Sequence, residues 1–426
     1  MKTSVANKGN GEVTLTVELE AGEFSPYLAR AATKLAQKTT IPGFRVGKAP
    51  IDIVKQHVGE SALYEAAAEE AATIALSQAL TKQTFSVFGK PVVRVEKLAP
   101  GNPFVFTAEV AVVPDVSLNK WEAIRIMHMP ITVHEEDIEK LVEELRGMQA
   151  KEVLADRAAR DGDKLEINFT VTRDGAPIEG GAGKKFSVVL GSKSMIPGFE
   201  AQLTGMKAGG VKDFELTFPT PYVEERLAGK QAQFHVEVIG VYDRMLPEKN
   251  DEWAQVVHGG TYAALLDRIR ENLQSEKELA EVHRIENEVL DRILAQATIG
   301  DIPKRMTEVE VDKMLIELQD DVEGRGMEWE KYLQSIKKTL PELRAGFQEQ
   351  AKRRVRAALV IREFSKLLAI QATAEEIAAE IARQKERYSD DTKLAESFSS
   401  KDFERYVGTI ITNRKVMEAL VGRLVR

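Results

Sequence analysis

The sequence predicts a multidomain α+β chain: a small α+β unit first, then a curved half-barrel of strands set into an all-helical region that comes in two pieces. Three observations predict it. The chain has 426 residues, more than one hydrophobic core usually serves. Its apolar spacing switches between period two and period 3.6 along its length. The strand-patterned stretch at 161–242 interrupts the helical pattern, so its flanks read as parts of one body. The domain boundaries that follow are 1–112, 113–150 (linker and first helical piece), 161–242 and 243–426.

The first unit opens with EVTLTVEL, where Val13, Leu15, Val17 and Leu19 alternate with polar residues as in a half-buried strand. Ser25 followed by Pro26 predicts a helix cap with proline at the first helical position, and Phe24 a staple at the entry. Leu28, Ala31, Ala32 and Leu35 continue at helical spacing until Pro42-Gly43. Pro50 opens a short helix, and the alanine-rich run from Glu60 to Leu80 predicts a longer one. VVRVEK and PFVFTAEVAVV return to strand patterns.

In the second unit LEINFTVT places Leu165, Ile167, Phe169 and Val171 on one face, and Arg173-Asp174-Gly175 predicts a hairpin turn. KKFSVVLG, VKDFELTF and QAQFHVEVIG predict further strands, with a short helix and a glycine-rich exit in SMIPGFEAQLTGMKAGG. One helix against at least four antiparallel strands makes a half-barrel with an apolar concavity. The helical pieces cover 131–150, where Thr132 and Glu135 predict a capping box. They resume at 261–298, with Leu265, Ile269, Leu273, Leu279, Val282, Ile285, Val289 and Ile293 as apolar positions. Helices at about 304–324, 328–338, 341–370, 374–388 and 400–425 follow, separated by DD, GRG and SDD breaks.

Composition narrows the chemistry. With 43% hydrophobic and 30% charged residues and a formal charge of -8, the chain is globular rather than a general nucleic-acid coat. It has no cysteine, which removes disulfides, thiolate catalysis and cysteine-ligated metals. No stretch reaches 18 uninterrupted apolar residues, and MKTSVANKGNGEV lacks the apolar core of an export signal, so the expectation is a cytoplasmic protein. His57, His128, His134, His235, His258 and His283 form no HxxH or HExxH set. No GxSxG or GxGxxG loop occurs, and Glu69-Glu70, Glu135-Glu136 and Glu375-Glu376 are adjacent pairs that do not face each other on a helix. No cofactor or metal is expected.

Two local constellations remain. TTIPGFRVGKAP superficially resembles a phosphate loop, but Gly43 to Gly47 is one residue short, and Ala49 stands where a hydroxyl should bind magnesium. Around it Arg30, Lys34, Lys38, Arg45, Lys48 and Lys55 face a single acid in sequence, Asp52. Either they are a solvated face, or they dock an acidic or phosphate-rich partner. Phe44, between Gly43 and Arg45, either plugs its own core or contacts another molecule. The second constellation is aromatic: Phe169, Phe186, Ile196, Phe199, Tyr222 and Phe234. Rotation about a prolyl bond needs no acid, base or metal, because its barrier of about 18–20 kcal/mol comes from amide resonance. An apolar pocket that withholds water from the twisted amide can lower it.

DGAPIEG at 174–180, KKFSVVLG, MIPGFEAQLTGMKAGG and the closing FHVEV resemble the FKBP family of prolyl isomerases. The resemblance implies a pocket made by Phe169, Ile178, Glu179, Phe186, Met195, Ile196, Phe199, Tyr222 and Phe234. In it the Ile196 N–H and the Tyr222 hydroxyl contact the peptide and Phe199 forms the floor. Ile178 departs from the family's usual Phe and removes an aromatic wall. GFRVGKAP in a helix–helix loop, followed by that domain and flanked by helical arms, resembles the bacterial trigger factor family over essentially the whole chain.

That second resemblance implies an ATP-independent chaperone docked near the exit tunnel of the large ribosomal subunit through Gly43, Phe44, Arg45, Gly47 and Lys48, on protein and rRNA. It implies clients that are unfolded and nascent polypeptides, weak homodimers off the ribosome, and a link to cell division and the cell cycle. Val46 departs from the family's basic residue at that place. An extracytoplasmic isomerase-chaperone and a non-catalytic scaffold with a vestigial isomerase domain are the alternative readings.

Overall fold

The computed structural model describes every residue except Thr40, Val223, Glu225 and 388–397, and describes Glu179 by its backbone alone. The chain divides into two compact units, residues 1–128 with 282–426, and residues 129–281.

The first unit begins with β1 (Lys2–Gly9) and β2 (Glu12–Leu19), then α1 (Ala21–Lys38), α2 (Ile51–Val58) and α3 (Glu60–Thr81), and closes with β3 (Val87–Lys97) and β4 (Phe104–Val112). The strands form an antiparallel sheet in the order β1-β2-β4-β3. Alternation in β2 and β4 sends Leu15, Val17, Phe104, Phe106 and Ala108 inward, onto the alanine faces of α1 and α3. Alanine at these positions lets helix and sheet approach closely, and each Leu, Val or Phe side chain fully buried against them contributes roughly 1.5–3 kcal/mol. β1 was not expected from the sequence. All eight of its residues are exposed, so no apolar alternation marks it.

Helix α1 also begins earlier than Ser25-Pro26 predicts. Glu20 and Glu23 form the capping box, and Pro26 lies inside the helix. The reciprocal Glu20–Glu23 bonds satisfy N-terminal donors that Ser25 would otherwise have served. Phe24 is core rather than staple, buried with its ring 5.0 Å from that of Phe104.

The second unit begins with α4 (Glu135–Met148), capped by His134 rather than Thr132 and without a side-chain bond. Glu135, Glu136 and Asp137 crowd the first turn, where acids favour the positive helix end. β6 (Lys151–Leu154), β7 (Lys164–Arg173), β8 (Ala176–Val189), β9 (Val211–Thr217) and β10 (Gln231–Met245) then form one antiparallel sheet. Asp174 and Gly175 both have positive φ in the β7–β8 turn, as a tight hairpin requires. The short helix α5 (Phe199–Leu203) lies against this sheet and buries Phe199 and Leu203. The sheet takes in Lys151–Leu154, ahead of the strand run that the alternation marks, because the fully exposed β6 carries no apolar period.

Helix α6 (Asp251–His258) is capped by the Asn250 side chain, and α7 (Tyr262–Gln296) follows it. Leu265 and Ile269 join Ile138, Val142 and Trp253 in one core, while Ile285, Val289 and Ile293 belong to another. Between them Leu279 and Val282 are 58% and 49% exposed, so the expected stripe is broken at mid-helix.

In the first unit again, β11 (Thr298–Ile299) pairs with β5 (Val116–Ser117). The helices α8 (Lys304–Gly324), α9 (Trp329–Ser335), α10 (Leu340–Leu367), α11 (Ala374–Arg387) and the helix Lys401–Leu424 follow. Thr339 and Glu342 make a reciprocal capping box on α10. Phe364, Val416 and Leu420 pack with Ile124 and Ile126 beneath the α10 C-terminal half. The expected SDD break, at 389–391, lies outside the described residues.

Candidate functional site

Residues 41–48 form two consecutive turns between α1 and α2. The Phe44 N–H donates to the Ile41 carbonyl at 3.2 Å, and the Lys48 N–H to the Arg45 carbonyl at 2.9 Å. Each turn carries glycine at its third position, Gly43 at φ 84° and Gly47 at φ 76°, a conformation that a side chain strains. Buried Ile41 roots the segment in the core, and the Gly47 N–H donates to the Ala36 carbonyl at 2.9 Å. A Cβ on Gly47 would lie 2.9 Å from Cγ of Gln37. Between these anchors Phe44 is 41% exposed and Val46 62%, with Arg45 and Lys48 exposed as well. Phe44 therefore does not plug the core.

The neighbouring cations divide into two groups. Arg30 and Lys34 both bind Glu70 at 2.6 Å, holding its carboxyl below the ordinary carboxylate range, and Arg30 also lies over the Tyr27 ring. Lys55 pairs with Glu60 at 2.5 Å. The excess of base over acid between 30 and 55 is thus largely a matter of sequence distance, because α3 supplies the missing acids. Among the described residues Lys38, Arg45 and Lys48 have no ion pair, which leaves the positive charge concentrated at the turns.

In the second unit the predicted aromatic residues form two groups. Phe199, at the base of α5, meets Phe234 of β10 at 5.7 Å and Phe214 of β9 at 5.6 Å, and Phe218 links Phe234 to Tyr222. Phe169 of β7 and Phe186 of β8 stack edge to face at 5.5 Å, and Phe186 is 42% exposed. Ile178, Met195, Ile196, Phe169 and Tyr222 are partly buried and pack against the same core. Phe186 lies outside that core and touches it through Phe169. Gly183 stands opposite Phe169 in the β7–β8 register, where a Cβ would come within 2.5 Å of the ring. The side chain of Glu179 lies outside the described residues. Phe214 and Phe218 belong to the Phe199 group. The alternation of VKDFELTF marks their shared face, but nothing in it separates a pocket residue from a core residue.

The segment before α5 is held differently. Both Glu200 carboxylate oxygens accept backbone bonds: Oε2 from the Gly191 and Lys193 N–H groups at 2.8 and 3.0 Å, Oε1 from those of Ser194 and Met195 at 2.9 and 3.4 Å. Ser192 Oγ adds a bond at 3.2 Å. Desolvation alone would raise the Glu200 pKa, yet these backbone donors outweigh it and set the carboxyl below its ordinary range. The Ile196 carbonyl accepts from the Phe199 N–H at 3.1 Å. Among the described residues the Ile196 N–H has no partner. A cavity of about 480 Å³ opens here, lined by Asp161, Lys193, Met195, Ile196 and Ala201 among others. It takes in Met195 and Ile196 but none of the aromatic side chains.

Buried Asp163 binds Arg157 through both oxygens, at 2.6 and 2.9 Å, and also accepts from the Arg160 N–H. These contacts, with the Arg157 guanidinium the largest influence, hold the Asp163 carboxyl below its usual range. They tie the strand entry to the sheet and stand apart from the aromatic groups. Among the described residues no cluster of three or more potential ligands could hold a metal, and no helix is long and apolar enough to cross a membrane.

Comparison with known proteins identifies the family along the chain. Residues 1–145 match the family described as bacterial trigger factor protein, residues 261–422 the trigger factor C-terminus, and residues 155–239 the FKBP-type peptidyl-prolyl cis-trans isomerases. A trigger factor of Caldicellulosiruptor bescii is 34% identical over 420 residues, 98% of this chain and 95% of that protein. One from Carboxydothermus hydrogenoformans is 33% identical over 99% of both chains, and one from Bacillus cytotoxicus 35% over 88% of both. The chain belongs to the bacterial trigger factor family, ribosome-associated chaperones that carry an FKBP-type prolyl isomerase domain.

Proposed function

We propose that the 43–48 segment is the ribosome-docking element, with Phe44, Arg45 and Lys48 as contact residues and Gly43 and Gly47 as the turns that present them. The carrying observation is a double turn whose backbone is fixed to α1 while Phe44, Arg45 and Lys48 are exposed and, among the described residues, the two cations have no ion pair. Apolar contact then supplies grip and the two cations attract phosphate or acidic protein surface near the tunnel exit. Val46, exposed at the second turn, adds apolar surface where a basic residue would add charge. Replacing Phe44, Arg45 and Lys48 together by Ala should abolish co-sedimentation with ribosomes, and rising salt should weaken the parent protein's binding. Unchanged binding of the triple variant would refute this assignment.

The isomerase reading assigns Phe199, Phe214, Phe218 and Phe234 as floor, Tyr222 and the Ile196 N–H as peptide contacts, and Phe169, Phe186, Ile178 and Met195 as walls, with Glu179 beside Ile178. The aromatic surface favours the less conjugated, twisted amide, and the N–H fixes the peptide carbonyl. Unfolded and nascent chains are held by distributed apolar contacts on the helical region, residues 113–150 with 243–426, in a cytoplasmic protein that self-associates weakly off the ribosome.

Lys151 of β6 pairs with Met245 of β10, so the two ends of the inserted sheet lie side by side. A few-residue linker can therefore replace 151–245. That deletion should leave suppression of a denatured client's aggregation largely intact, as read by light scattering. Complete loss in a folded deletion variant would move client holding into the isomerase domain.

A further inference from the structure

The isomerase reading leaves Glu200 without a role, although its carboxylate, the one acidic side chain in the sequence 191–204, accepts bonds from four backbone N–H groups and from Ser192 Oγ. Its neighbour on α5, Phe199, points into the core. On so short a helix the next side chain leaves on another face, toward the returning loop. There Glu200 acts as a hub, with the N–H groups of Gly191, Lys193, Ser194 and Met195 converging on two oxygens. The loop bends to do this. Gly191 has φ 89° and Lys193 φ 56°, the second uncommon for a residue with a side chain. A backbone turned this way needs external bonds to persist.

The consequence lies one residue further on. Glu200 takes the donors up to Met195, the Phe199 N–H takes the Ile196 carbonyl, and the Ile196 N–H is left over. Resting on the isomerase reading above, we propose that Glu200 is the positioning residue of the prolyl isomerase site. Its carboxylate fixes the 191–195 loop so that the Ile196 N–H, which follows directly on the bonded Met195 N–H, is held facing the peptide. Glu200 touches no substrate. It acts by keeping a donor in place, and a misplacement of about 1 Å in such a donor costs up to roughly a hundredfold in rate.

A glutamine in its place keeps the volume but turns one acceptor oxygen into an NH₂ group facing the Gly191 and Lys193 or the Ser194 and Met195 donors. The other charged groups facing this carboxylate are Lys193 on the loop and Asp161 on the segment before β7. Both remain in the variant, so its effect reports on the hub alone.

The test uses the full-length chain, a short prolyl peptide in a protease-free assay, and amide hydrogen exchange. Glu200→Gln should lower kcat/KM by about tenfold or more, and speed exchange at Gly191, Lys193 and Ser194 while the β7 and β10 amides keep their protection. Glu200→Asp, which retains the charge on a shorter arm, should recover part of the rate. Ser192→Ala removes a single bond and should cost no more than about threefold. Wild-type kcat/KM with a free loop in Glu200→Gln would overturn the proposal, as would an undisturbed loop in that variant. If the parent protein itself gave only the uncatalysed rate while its loop amides were protected, the isomerase reading would fail instead.

Discussion

The two loops proposed to carry the specific contacts of this protein are built on opposite plans. The 43–48 loop is fixed through its backbone and offers side chains; glycines take the strained φ values, and Phe44, Arg45 and Lys48 stay exposed. The 191–196 loop is fixed by one side chain, Glu200, and offers a backbone donor. A partner of fixed composition can be read through side chains. A peptide bond, which every client shares, is better met by an N–H over an aromatic floor.

The largest expected effect falls on that floor. Phe199 is fully buried against Phe214 and Phe234, so Phe199→Ala should destabilise the inserted domain by about 3–5 kcal/mol. Exchange at the β7 and β10 amides should quicken sharply and isomerase activity vanish, with ribosome binding unchanged. If both activities fell together, the two loops would not be independent.

Gly47→Ala breaks the other side. It strains a backbone at φ 76° and drives a methyl to 2.9 Å from Gln37 Cγ, at a cost of about 1–3 kcal/mol. Ribosome affinity should fall about tenfold with isomerase activity untouched. Adding Gln37→Ala relieves the clash but not the φ, so recovery should be partial. Full recovery would mean that contact, and not backbone conformation, sets the loop.

The two plans explain why one site was legible in the sequence and the other only in part. Side chains offered from glycine turns leave a motif, and the family resemblance of that motif named Gly43, Phe44, Arg45, Gly47 and Lys48, where spacing alone left a solvated face and a docking face both open. The acids that neutralise Arg30, Lys34 and Lys55 could not be named, since Glu70 and Glu60 reach them only through the packing of α3. In the isomerase domain the alternation revealed the strands, and resemblance supplied the pocket residues. A carboxylate serving four N–H groups leaves no trace in spacing, and nothing in the sequence sets Glu200 apart from other acids. β1 and β6 were missed for a related reason, because edge strands exposed along their length have no apolar period. The alternative first residues of α1 and α4 were decided by acids, where a hydroxyl had been expected.

Acid should separate the loops next. The Glu200 carboxyl lies below its ordinary range in the fold, so its stabilisation is fully present above the unfolded value of about 4.3 and lost as pH falls through the lower folded value. Asp163 behaves with the same sign. Loop 43–48 is anchored by the bond from the Gly47 N–H to the Ala36 carbonyl, which does not titrate. Below about pH 4, amide exchange should quicken at 191–195 before it does at Phe44, Gly47 and Lys48. Simultaneous loss would show that a shared unfolding event, and not the carboxylate hub, governs the isomerase loop.

The smallest effect should come from Ile178. It is partly buried, packs on the same core as Phe169 and Tyr222, and stands where the FKBP resemblance has an aromatic wall. The β7–β8 register is irregular between Thr170 and Thr172, just opposite this stretch, which gives the strand some freedom to accept a larger side chain. Room is still limited, because a Cβ on Gly181 would already come within 3.1 Å of Ile178 Cβ. A phenylalanine ring at 178 would add an aromatic contact worth about 0.5–1.5 kcal/mol, realised wherever the twisted prolyl amide is held more tightly than the planar one. Ile178→Phe should therefore raise kcat/KM by about two- to tenfold, without altering ribosome binding or exchange at the Glu200 hub. A lower rate with an intact hub would mean that the larger ring obstructs the pocket, so that this chain's isomerase wall is already complete with isoleucine.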